Sequence, residues 1–330
     1  MTEGGGAPPA AAAVPPDADG WRLDRWIAHA IPTGRHTAQE LVRRGAVAVN
    51  GRPQLRPAVA VRAGDRVAWT PCRPAEGPAV AGALPPPELR LVHVDAWIAI
   101  VDKPSGLTVH PGAGRPDGTL ADGIRALGGG WSTLAGAPRM GIVHRLDRTV
   151  SGLLAVARTE AAHRHLAAQL RDRSMGRDYW ALVHGSVRED KGRVVAPVGR
   201  DPRRPRRMAV VAGGRDAVTD FEVLDRLPAH TVLRVSLGTG RTHQIRLHLA
   251  YIGRPLVGDP LYGPQAERGQ DRPMLHAAEL RLVHPRGDRL RFRSPLPAEL
   301  AQGLADRGGD PRRGWPGPAA AGAVPAEPPP

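Results

Sequence analysis

Apolar residues recur along this chain with two periods. Leu23, Trp26, Ile27 and Ala30 stand at i, i+3, i+4 and i+7, the spacing of an amphipathic helix, and Pro32 ends it. Thr37-Ala38-Gln39-Glu40 has the form of a capping box opening a second short helix, which Gly45 can close in the left-handed conformation. Val47-Ala48-Val49, an Asn50-Gly51 turn and a return through Val59, Val61 and Val67 predict a small sheet. Further on, the runs 97–101, 152–156, 179–183 and 232–237 read as strands, and segments 159–172 and 242–252 as helices. Hairpin-like stretches beside isolated helices predict an α+β fold rather than a doubly wound one.

The composition divides this pattern into parts. Residues 1–20 and 305–330 are rich in Gly, Ala and Pro and are expected to be disordered tails. A third such stretch, 73–87, reads as a linker between a small module, 21–72, and a larger one, 88–304.

The formal charge is +14, which favours a polyanionic partner or an acidic membrane surface. Lys103 and Lys191 are the only lysines among 46 basic side chains, a skew that fits GC-biased coding better than function. One cysteine, Cys72, excludes an internal disulfide and a cysteine-based zinc cluster, as suits a reducing cytoplasm. The N-terminus lacks the pattern of a signal peptide, and no apolar run approaches the roughly 20 residues of a membrane span, so the expectation is a soluble cytoplasmic protein.

Three constellations join charge to a tight turn beside an apolar element. In Gly141-Ile-Val-His144-Arg145-Leu146-Asp147-Arg148-Thr149-Val150-Ser151-Gly152, an acid between arginines leads into a strand, an arrangement that can hold a carboxylate ionised at a cleft. In Gly238-Thr-Gly-Arg241-Thr-His-Gln-Ile245-Arg246, two glycines precede a helix, with Arg241 at its mouth, able to fork onto a carboxylate or phosphate. Arg200, Arg203, Arg204, Arg206 and Arg207 fall within eight residues, a natural phosphate clamp. Each also has a plainer reading, as a self-capping loop aspartate, a surface arginine or a solubilising loop. In the small module, Arg22, Arg25, Arg35, Arg43 and Arg44 cluster on the two helices and suggest an RNA-facing surface. No Gly-rich loop, strand lysine or Asp-Phe-Gly accompanies His144-Arg145-Leu146-Asp147 as a kinase would require, no GxxxxGK[ST] occurs, and no His-Glu-x-x-His ligand set points to a metal.

The run from Arg22-Leu23-Asp24 through Gly45-Ala-Val-Ala-Val-Asn-Gly51 to Ala63-Gly64-Asp65 resembles the S4 RNA-binding domain. Residues 88–300 resemble the RluA family of pseudouridine synthases. The likeness rests on His144-Arg-Leu-Asp147 leading to Ser151-Gly-Leu-Leu154, with Asp102-Lys-Pro-Ser-Gly-Leu-Thr-Val-His110, Gly240-Arg-Thr-His-Gln-Ile-Arg246, Gly258-Asp-Pro-Leu-Tyr-Gly263 and Leu275-His-Ala277. The resemblance implies a mixed, largely antiparallel sheet flanked by helices, with a small α/β S4 domain ahead of it.

By the same resemblance Asp147 is the essential aspartate, Tyr179 packs on the target uracil, Arg241 pairs with the aspartate and Arg145 helps displace the flipped base. His144, Ser151, Gly152 and Ile245 are implied as substrate-binding, and Arg200 to Arg207 as the loop gripping an RNA stem. Val150 departs from the family's usual threonine. The implied reaction isomerises uridine to pseudouridine without cofactor or metal, in ribosomal RNA or, as the runner-up, transfer RNA, by a monomer with no obligate protein partner. Asp147 could attack the ribose, add to uracil or remove a ribose proton, and the residues do not choose. Two other readings are a catalytically silent RNA-binding or ribosome-assembly protein, and a glycosidic-bond hydrolase, which would usually need two carboxylates.

Overall fold

The computed structural model describes residues 10–31, 35–70, 84–112, 117–204, 207–264, 271–311 and 324–325. The chain divides into two compact units, one formed by the segment to Leu84 with Ser132–Gly141, the other by Pro85–Trp131 and Ile142 onward.

The small unit carries α1 (Leu23–Ala30), α2 (Arg35–Arg43) and strands β1 (Ala10–Ala13), β2 (Val47–Val49), β3 (Arg52–Pro53) and β4 (Arg66–Trp69), ordered β1-β4-β2-β3. The apolar stripe of α1 is buried as its spacing predicts, with Leu23, Trp26 and Ile27 meeting Val42, Val47, Val61 and Val67. Asn50 and Gly51 both have positive φ, 52° and 78°, as a type I′ turn requires. Asn50 fixes that turn further, accepting from Arg66 N–H and donating to Asp65. Two expectations are corrected here. Helix α2 begins at Arg35, so Thr37 lies inside it rather than at its cap. The N-terminal segment is also not a tail from Ala10 onward: Ala10–Ala13 pairs antiparallel with β4, and Val14 and Ala18 are buried, because their small side chains fit against the exposed edge of β4. Cys72 and most of the expected linker lie outside the described residues.

The large unit is built on a ten-stranded sheet. Its strands are β5 (Arg90–Val94), β6 (Ile98–Lys103), β7 (Ser151–Ala157), β8 (Gly176–His184), β9 (Lys191–Val195), β12 (Val218–Arg226), β13 (His230–Leu237), β14 (Leu275–Val283), β15 (Arg289–Arg293) and β16 (Val324–Pro325). The order runs β5-β6-β7-β14-β8-β13-β12-β9, with β15 on β14 and β16 on β15. Among the described residues only β7 and β14 pair in parallel, so the sheet is mixed and largely antiparallel, as expected. A separate hairpin joins β10 (Val198–Arg200) to β11 (Met208–Val210).

Strand β14 enters between β7 and β8 and brings the site's two halves together. At that crossing Gly152, with φ 117°, faces Ala277, and a Cβ there would run into the Ala277 backbone. The unit's remaining helices are α3 (Leu120–Ala126), α4 (Glu160–Arg171), α5 (Gln244–Tyr251) and α6 (Ala298–Ala305). Helix α4 starts at Thr159, whose hydroxyl accepts from Ala162 N–H, and packs Ala162 and Leu166 onto Ile98, Ile100, Leu153 and Leu280. A second cluster buries Leu300 and Leu304 of α6 against Trp180, Leu182 and Val232. Among the described residues no helix is long and apolar enough to cross a membrane.

Candidate active site

The loop before β7 carries Asp147, and it is fastened from behind. The fully buried Lys103 donates from Nζ to the carbonyls of Pro104, Leu107 and Arg148 at 2.8, 2.9 and 3.2 Å. Ser105 Oγ and Arg272 both donate to the Thr149 carbonyl. Burial pulls the Lys103 pKa down to about 7, and three carbonyl acceptors give its ammonium protons somewhere to go. With its back held, the loop presents Asp147 to a cavity of about 360 Å³.

Tyr179 of β8, Ile245 and Arg246 of α5, His144, Arg145, Arg241 and His243 share the lining of that cavity with Asp147. The tyrosine is buried, and burial pushes its hydroxyl pKa up to about 12, so it stays protonated. His144 is held as a neutral ring: burial lowers its pKa to about 3, and its Nε2 accepts the Ala155 N–H at 3.0 Å.

Asp147 takes its ion pair from Arg246, Nη1 to Oδ2 at 3.3 Å. The same guanidinium forks onto the buried Asp259 through Nε and Nη2, both at 2.7 Å. Burial opposes the Arg246 charge, but Asp259 and Asp147 more than offset it and raise its pKa. Burial likewise works against ionisation of Asp259, and the Arg246 fork prevails, so that carboxyl lies below its usual range. The expected Arg241 pair is therefore corrected: Arg241 Nε donates to the Asp216 carbonyl, 3.1 Å away. The reason lies in the turn, where Gln244 accepts the Arg241 N–H and anchors to Thr239 and Val218, so Arg241 precedes the helix while Arg246 lies within its buried stretch.

The RNA pseudouridylate synthase family matches this chain over residues 98–251, and the S4 domain over residues 21–67. The ribosomal large subunit pseudouridine synthase D of Pseudomonas aeruginosa is 42% identical over 307 residues, 88% of this chain and 93% of that protein. The chain belongs to the RNA pseudouridylate synthase family. The pseudouridine synthase D of Xanthomonas campestris is 39% identical over 304 residues, 88% of this chain and 89% of that one. Human RNA pseudouridylate synthase domain containing 1 superposes with a TM-score of 0.52 at 26% identity, over 64% of this chain and 86% of its own.

In this synthase Ser151 and Gly152, expected to bind substrate, stand outside the lining of this cavity. Ser151 is buried against His276, Oγ to Nδ1 at 2.9 Å, and Gly152 makes room for β14. Arg203 and Arg204 sit in a turn capped by Asp201, and Arg200 ends β10. Arg207 closes this loop and lies over the Tyr262 ring, 5.3 Å from its centre. Arg206 lies outside the described residues. In the small unit Arg22 forks onto the buried Asp24, which also accepts from Gln39, and Gln39 in turn accepts from Arg43. Arg25 stacks on Trp21 at 3.8 Å, Arg44 is exposed, and the Arg35 side chain lies outside the described set.

Sequence reasoning missed the roles of Arg246, Asp259 and Lys103. A signal for Arg246 existed, since it stands between the apolar Ile245 and Leu247, in a stretch from Gln244 to Leu249 that α5 buries whole. Nothing local marked Asp259, which meets Arg246 only in the folded chain.

Proposed function

We propose that this synthase isomerises specific uridines of large-subunit ribosomal RNA to pseudouridine, with Asp147 as its working carboxylate and no cofactor. The observation that carries this reading is Asp147 itself, with a 16% exposed side chain on a cavity wall shared with Tyr179 and paired to an arginine that Asp259 already holds. The volume lies at the lower end of the range of small-molecule sites, roughly 300–1,000 Å³.

The reaction breaks the bond from ribose to uracil N1, turns the base and rejoins the sugar at C5, so every atom of the substrate is kept. The target first leaves its stack at a cost of a few kcal/mol, least in loops and bulges. The Tyr179 ring then holds the loose uracil by its face, Ile245 closes the apolar side, and the exposed Arg145 takes the place the base has left. Arg246, rather than Arg241, is the cation that faces the Asp147 carboxylate. Asp147 attacks the ribose, adds to uracil or removes a ribose proton, and its ionised form serves all three.

Large-subunit ribosomal RNA as substrate is supported by the names of the two bacterial relatives and by the S4 match at 21–67. The arginines at 22, 25, 35, 43 and 44, with those of the 200–207 loop, would grip RNA phosphates. We place the S4 domain at 21–72 with the strand Ala10–Ala13 added to its sheet, a linker at 73–87 and the catalytic domain at 88–304 with the strand Val324–Pro325 added to its sheet, in a monomer working in the cytoplasm without an obligate protein partner.

The test maps pseudouridine in cellular RNA by carbodiimide-primer extension in a deletion strain carrying wild type or Asp147→Asn. Sites in large-subunit RNA that vanish on deletion and return only with wild type are the expected result. Sites confined to transfer RNA would replace the substrate, and restoration by Asp147→Asn would overturn the role of the aspartate.

A further inference from the structure

We infer that His243 and Tyr262 are positioning residues for Asp147, with the Tyr262 hydroxyl holding His243 so that its Nε2–H faces the carboxylate. This rests on the reading of Asp147 given above. His243 Nε2 stands 3.8 Å from Asp147 Oδ2, beyond hydrogen-bond length, on the opposite ring edge from Nδ1, which is 3.0 Å from the Tyr262 hydroxyl. The Tyr262 oxygen is also 3.2 Å from the backbone N–H of Met208, the residue that follows the basic loop.

The donors in this series have one consistent order. Met208 N–H can only donate, so the Tyr262 oxygen accepts from it and its own proton is free for His243 Nδ1. A carboxylate can only accept, so the histidine proton belongs on Nε2, where it faces Asp147. Burial lowers the His243 pKa, Asp147 and Asp259 pulling the other way, which keeps the ring neutral near pH 7 and leaves Nδ1 as an acceptor. The tyrosine at 3.0 Å fixes the tautomer, and the more distant carboxylate favours the same one without a hydrogen bond to impose it.

The backbone shows that the placement is imposed. His243 has φ 57°, in the left-handed region that a residue with a side chain seldom occupies, and it sits at the N-cap of α5 with its carbonyl taken by Leu247 N–H. Tyr262 is held as firmly: its backbone N–H donates to Asp259, and its ring packs against His243 at 77° and under Arg246, 5.3 Å from the ring centre. The carboxylate that clamps Arg246 therefore also seats the tyrosine that orients His243, and both arms converge on Asp147.

Full-length protein labelled with ¹⁵N-histidine tests this, with Tyr262→Phe, which keeps the ring, and His243→Asn, a residue at ease in the left-handed region. The signal lost in His243→Asn identifies His243. In wild type that signal should report a neutral Nε2–H ring at pH 7, and in Tyr262→Phe a mixture of tautomers. On a modifiable RNA each variant should slow single-turnover conversion about tenfold with little change in RNA affinity, and the double variant should be no slower than the slower single. An unchanged tautomer in Tyr262→Phe, or rate losses that multiply in the double variant, overturns the proposal. If wild type converts no uridine in any RNA offered, the functional reading fails, and the tautomer shift alone then decides whether Tyr262 orients His243.

Discussion

Asp259 holds Arg246 along one whole edge of its guanidinium, 2.7 Å at both contacts, and leaves only Nη1 free to reach Asp147. The fork converts a flexible side chain into a fixed donor, since planar two-point pairing removes the rotations that a single bond would leave.

Lysine cannot form that fork. Arg246→Lys is expected to lower kcat/KM by about 100-fold or more, whereas Arg241→Lys, which disturbs a bond to one backbone carbonyl, should cost no more than about tenfold. Tritium release from 5-³H-uridine RNA measures both, and equal losses would show that the Asp147 partner has been misassigned.

The Tyr179 ring face, rather than its hydroxyl, is the part that would meet uracil. Tyr179→Phe should keep activity within about threefold, while Tyr179→Ala should lose about 100-fold and also cost roughly 3–5 kcal/mol of stability through the void it leaves. Comparable losses in the two variants would make the hydroxyl the working group.

His276 is buried and His144 partly so at the cavity wall, and both rings are held neutral, burial lowering their pKa values to about 4 and about 3. Both values lie below that of an exposed histidine, so the unfolded chain binds more protons as pH falls. Their stabilisation is complete above about pH 6.5 and drains away toward pH 4, at up to roughly 1.4 kcal/mol per pH unit for each ring. Urea unfolding at pH 7 and pH 5 should show the acid loss, and His276→Gln should flatten it. A wild-type midpoint equal at both values would contradict the burial of these rings as neutral groups.

Arg203 and Arg204 do not line the cavity, so they should govern affinity and not chemistry. Arg203→Ala with Arg204→Ala should weaken RNA binding and reduce the slope of log Kd against log salt by about one to two, with single-turnover rate at saturation unchanged. A lower saturating rate would place the loop in the chemical step.

Much of the fold was legible because it follows local periodicity. The stripe at Leu23, Trp26 and Ile27, the Asn50-Gly51 turn and the runs that became β6, β7, β8 and β13 each announce themselves within a few residues. Family resemblance, with a charged loop running into an apolar strand, singled out Asp147. What escaped depends on partners distant in sequence. Asp147 and Arg246 are 99 residues apart, whereas Arg241 is singled out by its place at the helix mouth and by family resemblance, and the buried Gln244 that holds its backbone, with its side chain turned onto Asp216, shows only in the folded chain. Ser151 and Gly152 lie inside a motif that mixes packing with chemistry, and their spacing alone does not reveal that β14 crosses there.

The insertion of β14 also sets an order of events during translation. Strands β5 to β7 and the ribbon β8-β13-β12-β9 touch in the sheet only through a strand that begins at Leu275. Until that segment leaves the ribosome, the nascent chain carries two partial sheets, each with an open edge toward the middle, and open edges invite pairing with other chains. Such a topology folds slowly, because its central contacts span more than a hundred residues, as between Ser151 and His276. The loop that carries Asp147 and the strand that carries Tyr179 thus stay on separate ribbons until β14 joins them, and the cavity they line is complete only once that last central strand has been made.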